Sequence, residues 1–214
     1  MKKLLLLPLI AISFISTAQT TAIPDANFEQ ALINLGYDNV IDGGVLTANI
    51  SGITSLVVQG KGISDLTGIE DFTALTYLAC HNNQLTFLNV SQNTYLTFLD
   101  CYNNQLTNLD VTQNTSLDSL VCSENQLTTI DVSQNTALTY LVFHYNQITN
   151  IDVSQNTALT YLYCHNNQLT NLDLSQNIAL QQVDFTNNLL TNLDVSQNTD
   201  LEVLYCESNQ LTSI

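Results

Sequence analysis

One stretch limits what this chain can fold into: Leu159-Thr-Tyr-Leu-Tyr-Cys-His-Asn-Asn-Gln-Leu-Thr-Asn-Leu-Asp-Leu-Ser-Gln-Asn-Ile-Ala179, after which Leu180 starts the pattern again. The same unit begins at Leu75, Leu96, Leu117, Leu138, Leu159, Leu180 and Leu201, a period of 21 residues. A fixed period in the range of about 20–50 residues is the signature of a stack of equivalent coils. One coil alone cannot bury its apolar side, so each neighbour completes the core of the last. A divergent coil of 22 residues, Ile53 to Ala74, precedes the regular ones, and Lys61 stands in it where later units carry Asn.

Counted from its first Leu, each unit reads Leu-x-x-Leu-x-Cys-x-x-Asn-x-Leu-Thr-x-Leu-Asp-Val-Ser-Gln-Asn-x-x. The apolar residues at places 1, 4, 6, 11, 14 and 16 are expected to point inward. Places 3 to 7 predict a short parallel strand on one face. Places 13 to 17 predict a second, weaker strand opposite, because LTNLDVSQN repeats the alternation of LTYLYCHNN. The coil turns at place 9 (Asn83, Asn104, Asn125, Asn146, Asn167, Asn188 and Asn209) and again at place 19 (Asn93, Asn114, Asn135, Asn156, Asn177 and Asn198). Turns inside a stacked core strand backbone N–H and C=O groups, and an inward Asn amide offers both donors and an acceptor. Two buried, structural Asn ladders are expected.

The first eleven places match LxxLxLxxNxL, with Cys or Phe at the third apolar place. The chain therefore resembles the bacterial secreted leucine-rich-repeat proteins of the internalin-like class. It is most similar to the subclass with a nested 10+11 period. The resemblance runs from Ile53 to Ile214, and the segment PDANFEQALINLGYD resembles the caps of exported proteins of the Bacteroidetes. It implies a right-handed leucine-rich-repeat solenoid of the α/β-horseshoe family, with short parallel strands, little helix and a helical N-terminal cap.

Three segments follow. Met1-Lys2-Lys3, the apolar run Leu4 to Ile15 and the small residues Ser16-Thr17-Ala18 predict a signal peptide over 1–18, because the run is too short for a span of about 20 residues. Residues 19–52 predict the cap: Asp25 starts a helix, Gly36 ends it, and Phe28, Leu32 and Leu35 form one apolar stripe. Residues 53–214 are the repeats. The last unit stops in mid-repeat, which predicts further repeats, a sorting domain or a partner over that edge.

The sequence holds 19 acids against 3 bases, Lys2, Lys3 and Lys61, with no Arg. Removing the leader takes the formal charge from −16 to −18. Binding to nucleic acid or an anionic membrane needs clustered cations, so both are excluded as partners. Insertion into a membrane is not expected. Cys80, Cys101, Cys122, Cys164 and Cys206 all occupy place 6, where Phe143 and Phe185 also stand. That exchange marks a buried apolar column of free thiols, without disulfides or metal.

Comparison between units separates frame from variable positions. Thr holds all seven places 12, Gln all six places 18 and Asp five of six places 15. Places 3, 5, 7 and 8 vary, and seven of the nine Tyr and all three His fall there. Tyr77, Phe98, Tyr102, Tyr140, His144, Tyr145, Tyr161, Tyr163, His165 and Tyr205 are candidates for a binding face. Successive coils would set them about 4.8 Å apart, as an aromatic ribbon. The same rings would also stabilise the sheet by cross-strand packing. Asp110, Asp131, Asp152, Asp173 and Asp194 form a second column, read as a solvated edge that caps its own turns, with Ca²⁺ bridging as the sharper alternative. No nucleophile, base and orienting group converge, so no enzyme and no cofactor are expected. The expectation is an exported, non-catalytic recognition or adhesion module for a protein or glycan. The alternative is a structural or Ca²⁺-associated surface scaffold.

Overall fold

The structure is a computed structural model that describes residues 19–212. The expected leader, 1–18, lies outside the described residues.

The chain opens with a small cap. Strand β1 (Thr20–Ala22) pairs antiparallel with β2 (Gly44–Leu46), and helix α1 (Ala26–Asn34) lies between them in sequence. Asp25 explains why the helix starts there: its Oδ1 accepts from the backbone N–H of Asn27 and Phe28. Its Oδ2 accepts from Ser64 N–H at 2.8 Å and Ser64 Oγ at 2.7 Å, tying the cap to the first coil. These bonds hold the Asp25 carboxyl below its usual range even though partial burial pulls it the other way. Buried Glu29 gathers the turn before β2, with Oε1 accepting from the N–H groups of Asp42, Gly43 and Gly44 at 2.8–2.9 Å. Gly68, at φ 102°, lets the first coil run against the cap, since a Cβ there would strike Ile23 and the Ala22 carbonyl. A second short helix, α2 (Thr47–Ile50), leads into the coils.

The repeats form one parallel sheet of eight strands: β3 (Ser55–Val57), β4 (Tyr77–Ala79), β5 (Phe98–Asp100), β6 (Ser119–Val121), β7 (Tyr140–Val142), β8 (Tyr161–Tyr163), β9 (Gln182–Asp184) and β10 (Val203–Tyr205). Each regular coil moves one strand over, in register by one repeat, so Tyr140 pairs with Tyr161 and Tyr163 with Asp184. The strands occupy places 3 to 5, shorter than the sequence implies. Coil-to-coil bonds nevertheless run on through Cys80 N–H to Asp100 C=O and Asn82 N–H to Tyr102 C=O.

The expected second strand at places 13 to 17 does not form. Among the described residues that side has one isolated bridge, Asn89 to Asp110. The reason lies in place 15. Asp131, Asp152, Asp173 and Asp194 each accept the N–H two residues on, from Ser133, Ser154, Ser175 and Ser196 at 2.8–2.9 Å. The same turn is made by Asn89 with Ser91 and by Asp110 with Thr112, where the one bridge forms, so it stops pairing from extending past place 15 into a ladder.

The core is a set of columns. Leu138, Leu141, Phe143, Ile148 and Val153 of one coil stack on Leu159, Leu162, Cys164, Leu169 and Leu174 of the next, all buried. Each such Leu contributes about 1.5–3 kcal/mol when fully buried. The two Asn columns differ. At place 9, Asn146 Oδ1 accepts Leu127 N–H at 2.9 Å, and Nδ2 donates to Cys122 C=O and Phe143 C=O. At place 19, Asn156 Nδ2 donates to Val132 C=O and Asn135 C=O, but Oδ1 is buried without a partner. The same orphaned oxygen recurs at Asn93, Asn114, Asn135, Asn177 and Asn198.

Candidate functional site

Inward Leu at place 4 forces places 3 and 5 onto the outer face of the sheet. Parallel register then lines up each place across coils. The aromatic residues do not form one ribbon, because Ser119, Val121 and Ser123 interrupt it at β6 and divide the face in two.

The first cluster lies on β4 and β5. Tyr77 and Phe98 stack with ring centroids 4.3 Å apart and planes 4° from parallel. His81 leans toward Tyr102 at 6.4 Å, with Nδ1 2.8 Å from Asp100 Oδ2. Burial raises the Asp100 carboxyl above its usual range, against the pull of the Tyr102 N–H and His81.

The second cluster is larger. Tyr140 on β7 contacts Tyr161 at 5.8 Å and Tyr163 at 6.0 Å, the latter edge-on. Just beyond the strands, His144 and His165 stack at 4.3 Å with planes 11° apart. Tyr145 stands edge-on to both, 5.5 Å from each. Burial, then the neighbouring His165, pulls the His144 imidazole below its ordinary value. Burial and the surrounding Tyr140, Tyr161 and Asp184 push the Tyr163 phenol up. Tyr163 donates its hydroxyl to Gln182 Oε1 at 2.7 Å, which fixes the ring. His165 Nδ1 lies 3.1 Å from Asp184 Oδ2, near enough for a charge contact when protonated but not aligned as a hydrogen bond. Tyr205 on β10 is half exposed.

Tyr145 carries a cost that the repeat normally avoids. Place 8 is left-handed in every regular coil, with φ between 49° and 56°. Four coils fill it with Asn, at Asn82, Asn103, Asn166 and Asn187, the side chain that tolerates this region best. A bulky ring there is an outlier that local backbone preference does not explain, and such outliers concentrate at functional sites.

The structure adds residues that the sequence reading passed over. Asp184 and Gln182 stand within the aromatic rows, and Glu207 accepts from Thr186 Oγ1 at their edge, 3.1 Å away. Asp100 and Asp184 do break the apolar place-5 row in the sequence, which was the available signal.

The second column, Asp110 to Asp194, is exposed along the far edge. Side-chain and backbone hydrogen bonds from Thr112 hold Asp110 below the ordinary carboxylate range. Backbone and side-chain bonds from Ser133 and Ser175 do the same for Asp131 and Asp173, and Ser154 and Ser196 for Asp152 and Asp194. One oxygen of each is thus committed to its own turn. Among the described residues no group of three or more His, Cys, Asp or Glu is arranged to hold a metal ion. His144 and His165 stack face to face, and among the described residues no third ligand joins them in a metal-holding group. Four of the five thiols stay inside the core, where burial pushes the Cys122 thiol up to about 12 and those of Cys80, Cys101 and Cys164 up as well, while Cys206 is partly exposed. A cleft of about 540 Å³ is lined wholly by cap residues, among them Tyr37, Asp38 and Leu46.

The coils, strands and buried columns make the fold a leucine-rich-repeat solenoid, and the chain is similar to internalin-like proteins. A family model described as leucine-rich repeats, in two copies, matches residues 136–177. Internalin J of Listeria monocytogenes serotype 4b is 45% identical over 71 residues, which make up 33% of this chain and 8% of internalin J. A functional domain of InlJ from Listeria monocytogenes that includes a cysteine ladder superposes with a TM-score of 0.77 at 39% identity, covering 94% of this chain and 50% of that one. Internalin C2 of the same species gives a TM-score of 0.83 at 25% identity, covering 93% and 92%. A leucine-rich-repeat protein of Leptospira interrogans gives 0.65 at 29% identity, over 70% and 41%. The chain thus spans half of the InlJ domain and a small part of internalin J. Among the described residues no helix is long and apolar enough to cross a membrane.

Proposed function

We propose that the chain is an exported, non-catalytic recognition module that binds a protein partner on its strand face, centred on the β7–β8 cluster. One observation carries this reading: Tyr140, Tyr161, Tyr163, His144, Tyr145 and His165 pack against one another at places that the repeat leaves free. Rings already braced by neighbours lose little freedom on binding, and Tyr is enriched where partners meet. The internalin-like likeness supports a protein-interaction role, and the basic start followed by an apolar run supports export. The open face and the burial of Cys80, Cys101, Cys122 and Cys164 leave no assembled nucleophile–base pair on the strand face, which supports a non-catalytic role.

The test uses the protein without its leader against a panel of purified bacterial and host surface proteins, by biolayer interferometry. Replacing Tyr140, Tyr161 and Tyr163 with Ala is expected to weaken a panel ligand by at least about tenfold, or about 1.4 kcal/mol. Replacing Asp131, Asp152 and Asp173 with Asn should leave that affinity in place. Ligands that respond to the Asp variant and ignore the Tyr variant, with both variants folded by circular dichroism, would refute the reading.

A further inference from the structure

Parallel register sets Tyr163, Asp184 and Tyr205 side by side in one row across β8, β9 and β10. Strands about 4.8 Å apart put the two tyrosine backbones about 9.6 Å apart, with the carboxylate between them. A flat group in contact with two aromatic faces needs about 7–8 Å between them. At the backbone the row therefore has the width of one guanidinium or ammonium group, with a tyrosine on either side and a carboxylate between them.

The carboxylate is held in place. Asp184 Oδ1 accepts the Thr186 N–H at 2.9 Å, and Gln182 anchors the Tyr163 ring through its hydroxyl. Glu207, one coil further on, adds a second carboxylate at the rim. Among the described residues the basic group nearest this row is the His165 imidazole, whose Nδ1 lies 3.1 Å from Asp184 Oδ2, and no Lys or Arg stands beside it. The sequence has three bases, of which two lie at Lys2 and Lys3 and the third, Lys61, lies in the first coil. A row of Tyr-Asp-Tyr whose carboxylate faces an imidazole but no Lys or Arg is complementary to a partner's permanent cation through ring quadrupole and carboxylate together.

We infer that Tyr163, Asp184 and Tyr205 seat a basic side chain of the protein partner, arginine in preference to lysine because its flat fork fits between two rings and onto one carboxylate. This rests on the strand-face reading above and names the chemistry of the partner that it takes.

The probe is a synthetic Gly/Ser peptide bearing two Arg, compared with versions carrying Lys, Glu or citrulline in their place, titrated by isothermal calorimetry and by NMR. Citrulline keeps the shape of Arg without its charge. The Arg peptide is expected to bind at least about tenfold more tightly than the citrulline and Glu peptides, and about twofold or more better than the Lys peptide. Asp184→Asn and Tyr205→Ala should each weaken it by about tenfold. Asp152→Asn with Asp173→Asn removes more charge from the far edge and should change the affinity by less than about twofold. Equal weakening by that control would reduce the effect to net charge and overturn the seat. So would citrulline binding as well as Arg, or no Arg-peptide binding at millimolar concentration. Should the Arg peptide fail while the Tyr140, Tyr161 and Tyr163 variant still loses its protein ligand, the cation seat falls and the strand-face reading stands.

Discussion

Two buried asparagines, ten residues apart, should differ sharply in what their loss costs. Asn146→Ala removes the sole acceptor for Leu127 N–H, a bond of 2.9 Å inside the core. It also removes a donor to Cys122 C=O and Phe143 C=O. Those two carbonyls are only half deprived, since Asn125 also donates to the first and Asn167 to the second. The orphaned N–H costs about 1–3 kcal/mol, and the two weakened carbonyls add about 1 kcal/mol. Asn156→Ala removes donors to Val132 C=O and Asn135 C=O, but both keep backbone partners, the N–H groups of Asn135 and Leu138. It also deletes an Oδ1 that is already buried without a partner. The lost bonds and the relieved orphan largely offset each other, leaving about 1 kcal/mol of imperfect compensation before any cavity is counted. The cavity is the same size in both variants, so it cancels in the comparison. Asn146→Ala is therefore expected to cost about 3 kcal/mol and Asn156→Ala about 1 kcal/mol. Urea unfolding of the two variants, followed by circular dichroism and tyrosine fluorescence, measures the difference, provided the slope m is unchanged. Equal costs, or a larger loss at Asn156, would mean that the place-19 oxygen has a partner after all, and the reasoning would fail.

Tyr145→Asn should unfold at the same or higher urea, because Asn suits the left-handed place and offsets the lost ring contacts, whereas Tyr145→Ala keeps the strain, loses the ring and costs about 1 kcal/mol. In the native protein a thiol reagent at neutral pH should label Cys206, which is partly exposed, and leave Cys80, Cys101, Cys122 and Cys164 unmodified until urea is added; rapid labelling of a second thiol would contradict the buried column. The His144 imidazole is held below its ordinary value of 6.5, so the unfolded chain binds the proton more readily. Its share of stability is complete above 6.5 and is lost as pH falls through the lower folded value, and urea midpoints at neutral and mildly acidic pH should show a smaller loss in His144→Asn than in the parent. Gly68→Ala should cost about 2 kcal/mol or more, since the new Cβ meets Ile23 and the Ala22 carbonyl at a left-handed φ; a melting temperature unchanged from the parent would show that the cap can shift off the first coil.

The coil was legible because its constraints repeat. Leu, with an occasional Ile or Val, at places 1, 4, 11 and 14 and Cys or Phe at place 6 recur in every unit because every stacked coil needs the same core. The second strand was misread for a physical reason. LTNLDVSQN has the alternation of a strand, but its Asp takes the N–H of the following Ser, a local competition that hydrophobic pattern alone does not show. The place-19 ladder was half legible: the donors of Asn156 follow from the turn, while its idle oxygen depends on which N–H groups the turn already uses. The Tyr163, Asp184 and Tyr205 row needed register. Those residues are 21 apart in sequence, and only strand pairing makes them neighbours.

That distance between sequence and neighbourhood explains how such a scaffold acquires specificity. Substitution at place 4 or 6 disturbs the coils on either side, because every core column is continuous. Substitution at place 3, 5 or 7 changes one square of a grid whose other squares stay fixed. Ser119, Val121 and Ser123 show the grid left blank at β6, while Tyr140, Tyr161 and Tyr163 show it filled one and two coils later on the same frame. Tyr145, Glu124 and Ser208 depart from Asn at place 8, and Tyr145 alone of the three brings an aromatic ring. It occupies a place where the backbone favours Asn, and it stands over the two stacked imidazoles. A residue placed against local backbone preference, beside residues that the repeat does not dictate, supports the proposal that recognition centres on the β7–β8 end of the face rather than on the equally aromatic Tyr77–Phe98 pair, whose place-8 neighbours Asn82 and Asn103 remain the ordinary ones.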